Sequence, residues 1–174
     1  MADMLVKLYA LPDAAPYLGE LNTQAILIRQ AQPGEKRVII DWVSQHFPDS
    51  WAVGCEWAIA RDPISWYIAV EKDKSFVPSG DPYSLPKEKL IGFACYDVAG
   101  KGVFGAMGVQ EEYRGRGIGR ALLLGSLHAM AAERYAYAVI GWAGSPEFYQ
   151  KSVGATLIEG SEPGIFRGTL FAEA

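Results

Sequence analysis

Val109-Gln-Glu-Glu-Tyr-Arg-Gly-Arg-Gly-Ile-Gly-Arg120 decides the reading of this chain. An apolar, strand-like run (residues 102–109) precedes it, and a helix-like run (residues 117–134) grows out of it. A strand, a glycine-rich turn and a helix together make an anion site. The first amides of a helix have no partner within the helix and carry partial positive charge. Gly115, Gly117 and Gly119 remove side chains that would hold an anion away from those amides. Arg114, Arg116 and Arg120 add positive charge to a chain whose net charge is −4. The pattern points to a ligand carrying a pyrophosphate. A Walker-A loop would need Gly-Lys-Ser/Thr, which is missing. A dinucleotide fingerprint would need a third glycine where Arg120 stands, and an acid after the next strand, where Gly141-Trp142 stands instead.

What fits is Arg114-x-x-Gly117-x-Gly119 beginning five residues after the valine that ends the strand. About thirty residues on comes Glu147-Phe-Tyr-Gln-Lys-Ser-Val-Gly-Ala155. In this order, with a strand between them, the two segments resemble the acetyl-CoA loop and the Phe-Tyr-x-x-x-Gly-Phe segment of the GCN5-related N-acetyltransferases. The second segment has one extra residue and ends in Ala155 where the family has an aromatic. The resemblance covers residues 26–171. It implies an α/β (α+β) fold, with a mixed, mostly antiparallel twisted sheet flanked by helices. It also implies an N-acetyltransferase domain over residues 25–174, with residues 1–24 as an accessory strand and helix.

The same resemblance implies acetyl-CoA as co-substrate, without a metal. Met107, Gly108 and Val109 would face its pantetheine arm, with Val109 at a bulge that ends the strand. Arg114, Gly115, Arg116, Gly117, Ile118, Gly119 and Arg120 would hold its pyrophosphate. Tyr149 matches the tyrosine that protonates the departing thiolate in the family. The implied reaction is direct acetyl transfer to a primary amine of a small molecule or peptide. A non-catalytic acetyl-CoA sensor or interaction module is the alternative. An upstream asparagine common in the family is replaced here by Gly141-Trp-Ala-Gly-Ser-Pro146, in which Ser145 can cap a helix with Pro146 at its first position.

No general base is legible. The strand at residues 102–109 has no carboxylate, and Glu111 and Glu112 lie too close to the expected pyrophosphate. Asp97 can act through water, and Glu56 and His46 fall in the region that borders the acceptor site in the family; each reads more simply as a surface or capping residue. His128 reads as packed or solvated. Trp42, Trp51, Trp57 and Trp66 precede the cofactor motif, and most are expected in the core, with one or two at the acceptor pocket.

Composition agrees with one enzyme-sized domain. The 174 residues are 50% hydrophobic, with no internal repeat. No apolar window approaches a membrane span, and Met-Ala-Asp-Met lacks the basic start of a secretory signal. Cys55 and Cys95 have no metal spacing and suit a reducing cytoplasm. Without a basic run, neither nucleic acid nor a membrane surface is the expected partner.

Periodicity predicts strands at residues 4–8, 25–29, 64–70, 89–97, 102–109 and 135–140, and a terminal hairpin with strands at 156–158 and 165–171. Helices are expected at 33–47, 51–60, 117–134 and 145–151, and a turn or short helix at 16–23. The proline-rich stretch 72–89 reads as a long loop, bordering either the acceptor entrance or a homodimer contact.

Overall fold

The computed structural model describes residues 1–77, 81, 84 and 87–168. Among the described residues, seven strands and five α-helices follow one another: β1 (Met4–Lys7), α1 (Ala15–Thr23), β2 (Ile26–Gln30), α2 (Lys36–His46), α3 (Asp49–Ile59), β3 (Trp66–Lys72), β4 (Glu88–Tyr96), β5 (Val103–Val109), α4 (Ile118–Ala132), β6 (Tyr137–Ile140), α5 (Pro146–Val153) and β7 (Thr156–Leu157). The strands form one sheet in the order β2-β3-β4-β5-β6-β1-β7. Every neighbouring pair is antiparallel except β5–β6. This is the mixed α/β sheet that the resemblance implied.

Strand alternation sends side chains to two separate cores. Ala94 and Tyr96 of β4 face α4, in a cluster with Ile118, Leu122, Leu123 and Leu127. Phe93 and Cys95 face α2 and α3, in a cluster with Ile39, Val43, Cys55 and Trp66. Helix α4 is apolar almost all round because it lies between the sheet on one side and α1 with the first loop on the other. Leu122, Leu123 and Leu124 are all fully buried, and each such side chain contributes about 1.5–3 kcal/mol by leaving water.

Residues 1–24, expected to be an accessory strand and helix, are part of the sheet and its core. β1 lies between β6 and β7, pairing Met4 with both Ile140 and Leu157. Leu21 of α1 is buried against the α4 side.

The expected terminal hairpin does not form among the described residues. β7 pairs with β1 instead of with a following strand, and residues 165–168 turn. The rest of the expected last strand, residues 169–171, lies outside the described residues, as do seven positions of the 72–89 loop. The reason for the difference is that β7's partner comes from the other end of the chain, which local pattern cannot reveal. Helix α5 does start at Ser145 with Pro146 at its first position, but the Ser145 side chain makes no capping bond.

Candidate active site

The site begins where the sheet opens. β5 and β6 pair only at Val103–Val139 and Phe104–Ile140. Beyond that β6 ends, while β5 runs on to Val109 along β4. Gln110 N–H donates to Ile91 O at 2.9 Å on the β4 side. Amides alternate sides along a strand, so those of Met107 and Val109 point away from β4, into the opening. The bulge is not at Val109 as expected. Ala94 pairs with Met107 and Tyr96 with Phe104, so Gly105 and Ala106 both stand opposite Cys95. Pairing with β4 sets this position, and the β5 sequence alone does not show it. Gly108 lies close under Phe47: a Cβ there would sit 2.5 Å from the ring.

The chain then makes a short 3-10 turn, Glu111–Tyr113, and enters α4 through the glycines. Gly117 is the N-cap with φ of 84°, and Gly115 has φ of 77°. Both values fall in the left-handed region that glycine adopts without strain. A Cβ at either position would meet nothing within 4 Å, and no side chain caps the helix. The first amides of α4 therefore face open space.

The three arginines spread around this start. Arg114 Nε donates to Val109 O at 3.2 Å. Arg116 Nε donates to Gln24 Oε1 at 3.2 Å, and its guanidinium lies 5.3 Å from the centre of the Tyr113 ring. The Arg120 guanidinium sits over Tyr17 at 4.1 Å, and its Nε is buried without a hydrogen-bond partner among the described residues. Uncapped amides, a side-chain-free cradle and an orphaned guanidinium N–H fit a pyrophosphate.

A cleft of about 510 Å³ occupies the opening on the α3 side, within the range of small-molecule sites. Tyr149 lines it from α5. The preceding Phe148 meets the Tyr149 ring edge-on at 5.1 Å and lies against Gly119 in the first turn of α4. Two adjacent aromatics thus tie the start of α4 to the cleft. Burial pushes the Tyr149 phenol above its ordinary range, so the hydroxyl stays protonated at neutral pH.

Asp97 serves the fold and does not line the cleft. Only 6% exposed, it accepts hydrogen bonds from Gly102 N–H (2.7 Å) and the Tyr135 hydroxyl (2.6 Å), and pairs with Arg61 at 3.1 Å. Arg61 also pairs with Glu133 at 2.9 Å, and Glu133 accepts from the Tyr96 hydroxyl at 2.5 Å. The bond to Asp97, helped by burial, pushes the Tyr135 phenol up to about 12. Burial, then the bond to Glu133, pushes Tyr96 up as well.

Glu56 is exposed and borders Lys36 and Asp41 of α2, outside the cleft. His46 stacks on Trp42 with ring centres 4.8 Å apart, and its Nδ1 donates to Trp42 O at 2.8 Å. His128 Nε2 donates to Pro12 O at 2.9 Å, tying the first loop to α4. Glu111 and Glu112 are exposed. Among the described residues, no carboxylate and no imidazole lines the cleft.

Of the four tryptophans expected mostly in the core, one is fully buried. Trp66 is fully buried, Trp42 is half-buried against Phe93, and Trp51 reaches the cleft. Trp57 is 65% exposed, because it follows Val53 by one helical turn on the outer face of α3.

One important residue was not singled out from sequence. Asp3, 3% exposed, accepts from Trp142 N–H at 3.0 Å and from Ile165 N–H at 2.9 Å. It ties the end of β6 to the last described turn. Trp142 Nε1 donates to Pro163 O, and the Trp142 and Phe166 rings lie 4.8 Å apart on the cleft wall. An acid just ahead of an apolar strand is the only local sign of this role.

The Acetyltransferase (GNAT) family model matches residues 37–155. The chain belongs to the GNAT acetyltransferase family. Its sheet and helices have that family's fold. Among solved structures, 90% of the chain superposes on a GCN5-related glucosamine N-acetyltransferase region of a fungal multi-domain GH3 β-N-acetylglucosaminidase, with a TM-score of 0.68 and 14% identity. It also matches a GCN5-related N-acetyltransferase from Sphaerobacter thermophilus over 90% of its length, with a TM-score of 0.62 and 20% identity. The chain spans 19% and 48% of the lengths of these two proteins. At such identities the likeness shows the fold alone. No curated protein matches the chain. No helix among the described residues is long and apolar enough to cross a membrane.

Proposed function

We propose that this GNAT protein moves an acetyl group from acetyl-CoA directly to a primary amine of a small molecule or peptide. The observation that carries the reading is the opening between β5 and β6. One end of it is the uncapped start of α4, and at the other Tyr149 stands in the cleft. On this reading, the amides after Gly117 and the Arg120 guanidinium bind the pyrophosphate, with Arg114, Gly115, Arg116, Ile118 and Gly119 forming the rest of the loop. Met107, Gly108 and Val109 line the opening, and the amides of Met107 and Val109 orient the pantetheine arm. When bound, acetyl-CoA supplies an acyl carbon activated as a thioester.

Tyr149 holds a proton beside the sulfur. A phenol ionises near pH 10 and a thiol near 8.5, and burial moves Tyr149 further up. Full proton transfer to a free thiolate is therefore uphill by more than about 1.5 units, or roughly 2 kcal/mol. The hydroxyl contributes through a hydrogen bond that strengthens as charge builds on sulfur. As the C–N bond forms and the C–S bond breaks, the nitrogen releases its proton to water.

We assign the catalytic domain to residues 25–174, with residues 1–24 completing its sheet through β1. Two buried free thiols, Cys55 and Cys95, support a reducing compartment such as the cytoplasm.

The test is an acceptor screen that follows thiol release from acetyl-CoA with amines of several classes, each product checked by mass for the added acetyl group. The reading requires thiol release that depends on an amine. Release that ignores every amine offered would refute it.

A further inference from the structure

We propose that the acceptor is an aromatic amine, a ring bearing a nitrogen that is unprotonated at neutral pH, seated against the apolar wall of the cleft. This rests on the reading above and names its substrate class.

The wall is built from separate parts of the chain: Trp51 of α3, Val98 of the β4–β5 turn, Phe104 and Met107 of β5, and Trp142 and Phe166. Its rings are held by contacts within the chain. Trp51 stacks on Phe47 with centres 5.6 Å and planes 13° apart, and meets Phe93 edge-on at 6.1 Å. The Trp142 backbone N–H donates to Asp3, its ring Nε1 donates to Pro163 O, and Phe166 leans on Trp142. Flat apolar surfaces held this way favour another ring. Among the described residues, the side-chain hydroxyls on the wall come from Ser50, Ser145 and Tyr149. Three hydroxyls are too few to replace the water around an amino sugar.

No carboxylate or imidazole among the described residues lines the cleft. An alkyl ammonium entering it would lose its water without gaining a counter-charge. At neutral pH only about a thousandth of an alkyl amine is free base, since its pKa lies near 10.4. In an aromatic amine the nitrogen lone pair is shared with the ring, so the nitrogen arrives neutral and needs no base to begin the attack. Nitrogen forms a bond to the acetyl carbon and the C–S bond breaks, with the departing thiolate held by the Tyr149 hydroxyl. The nitrogen proton passes to water, and water returns a proton to sulfur.

The experiment compares 4-methylaniline, 2-phenylethylamine, glucosamine and a lysine tripeptide, using the whole chain with acetyl-CoA between pH 6.5 and 9. We expect kcat/KM for 4-methylaniline at pH 7 to exceed the other three by about tenfold or more. It should stay flat over that pH range, because the nitrogen is already a free base. Trp51→Ala should raise its KM about tenfold and leave acetyl-CoA binding within about twofold; Phe166→Ala replaces it if that variant fails to fold. A preference for 2-phenylethylamine, glucosamine or the peptide overturns the aromatic-amine assignment while the amine acetyltransferase reading stands. An unchanged KM in the wall variant also overturns it. Binding of acetyl-CoA with no thiol release from any of the four amines overturns both.

Discussion

Replacing Tyr149 by phenylalanine separates chemistry from binding and from folding. The ring stays packed beside Phe148 and against the core. The hydroxyl makes no hydrogen bond to another described residue, so its loss strands no partner. Stability should therefore change by less than about 1 kcal/mol. The hydroxyl matters when charge develops on sulfur inside an apolar cleft. A positioned acid contributes about a hundredfold or more, which corresponds to about 2.7 kcal/mol of barrier. We expect kcat to fall by about that factor while KM for acetyl-CoA stays within about twofold, because the lost interaction belongs to the transition state. Because burial raises the phenol above its ordinary range, ionisation of Tyr149 should not lower activity between pH 7 and 9. The assay is thiol release with an acceptor identified by the screen, beside a melting curve for each protein. A wild-type kcat in a well-folded variant would remove Tyr149 from the reaction and leave water as the donor.

Asp3→Asn keeps the shape of the buried side chain but turns an amide NH₂ toward one of two N–H donors, from Trp142 and Ile165. A loss of about 1–3 kcal/mol is expected, a drop in Tm of roughly 2–12 °C for a chain of this size, together with a raised KM for the acceptor; an unchanged Tm would show that the clasp is dispensable. Tyr135 gives a pH signature. Its folded pKa is raised to about 12 from 10, so its contribution to stability is complete below pH 10 and lost as the pH climbs toward 12. Tyr135→Phe should be less stable than wild type at pH 8, with the gap narrowing between pH 10 and 11.5 in denaturant titrations, and a constant gap would contradict the Asp97 bond as its source.

What the sequence revealed was local. Three glycines and three arginines in the stretch from Arg114 to Arg120 mark the proposed phosphate loop, because cradle and helix start are consecutive in the chain. Phe148 and Tyr149 were legible for the same reason. The bulge was misplaced because its position depends on which β5 residues face Cys95, a matter of register with another strand. Asp97 was open to a catalytic reading because Arg61 and Tyr135, which hold it, are more than thirty residues away on either side. β1 and Asp3 looked peripheral because their partners, Ile140, Trp142, Leu157 and Ile165, lie at the far end of the chain. The aromatic wall was the hardest part to read: its members are spread from Trp51 to Phe166, and only folding brings them together.

The central claim is that the open start of α4 holds the pyrophosphate of acetyl-CoA. Titrating acetyl-CoA into the wild type and Gly117→Glu, with melting temperature as readout, tests it most directly. A ligand at a hundred times its Kd stabilises the native state by about 2.7 kcal/mol, a rise of roughly 5–11 °C for a chain of this length. Space is open around Gly117, so the variant's cost to the fold comes from its left-handed backbone. Its added carboxylate would stand where the anion is expected to bind. A clear rise is expected in the wild type and none in a folded Gly117→Glu. The full wild-type shift in that variant would contradict it.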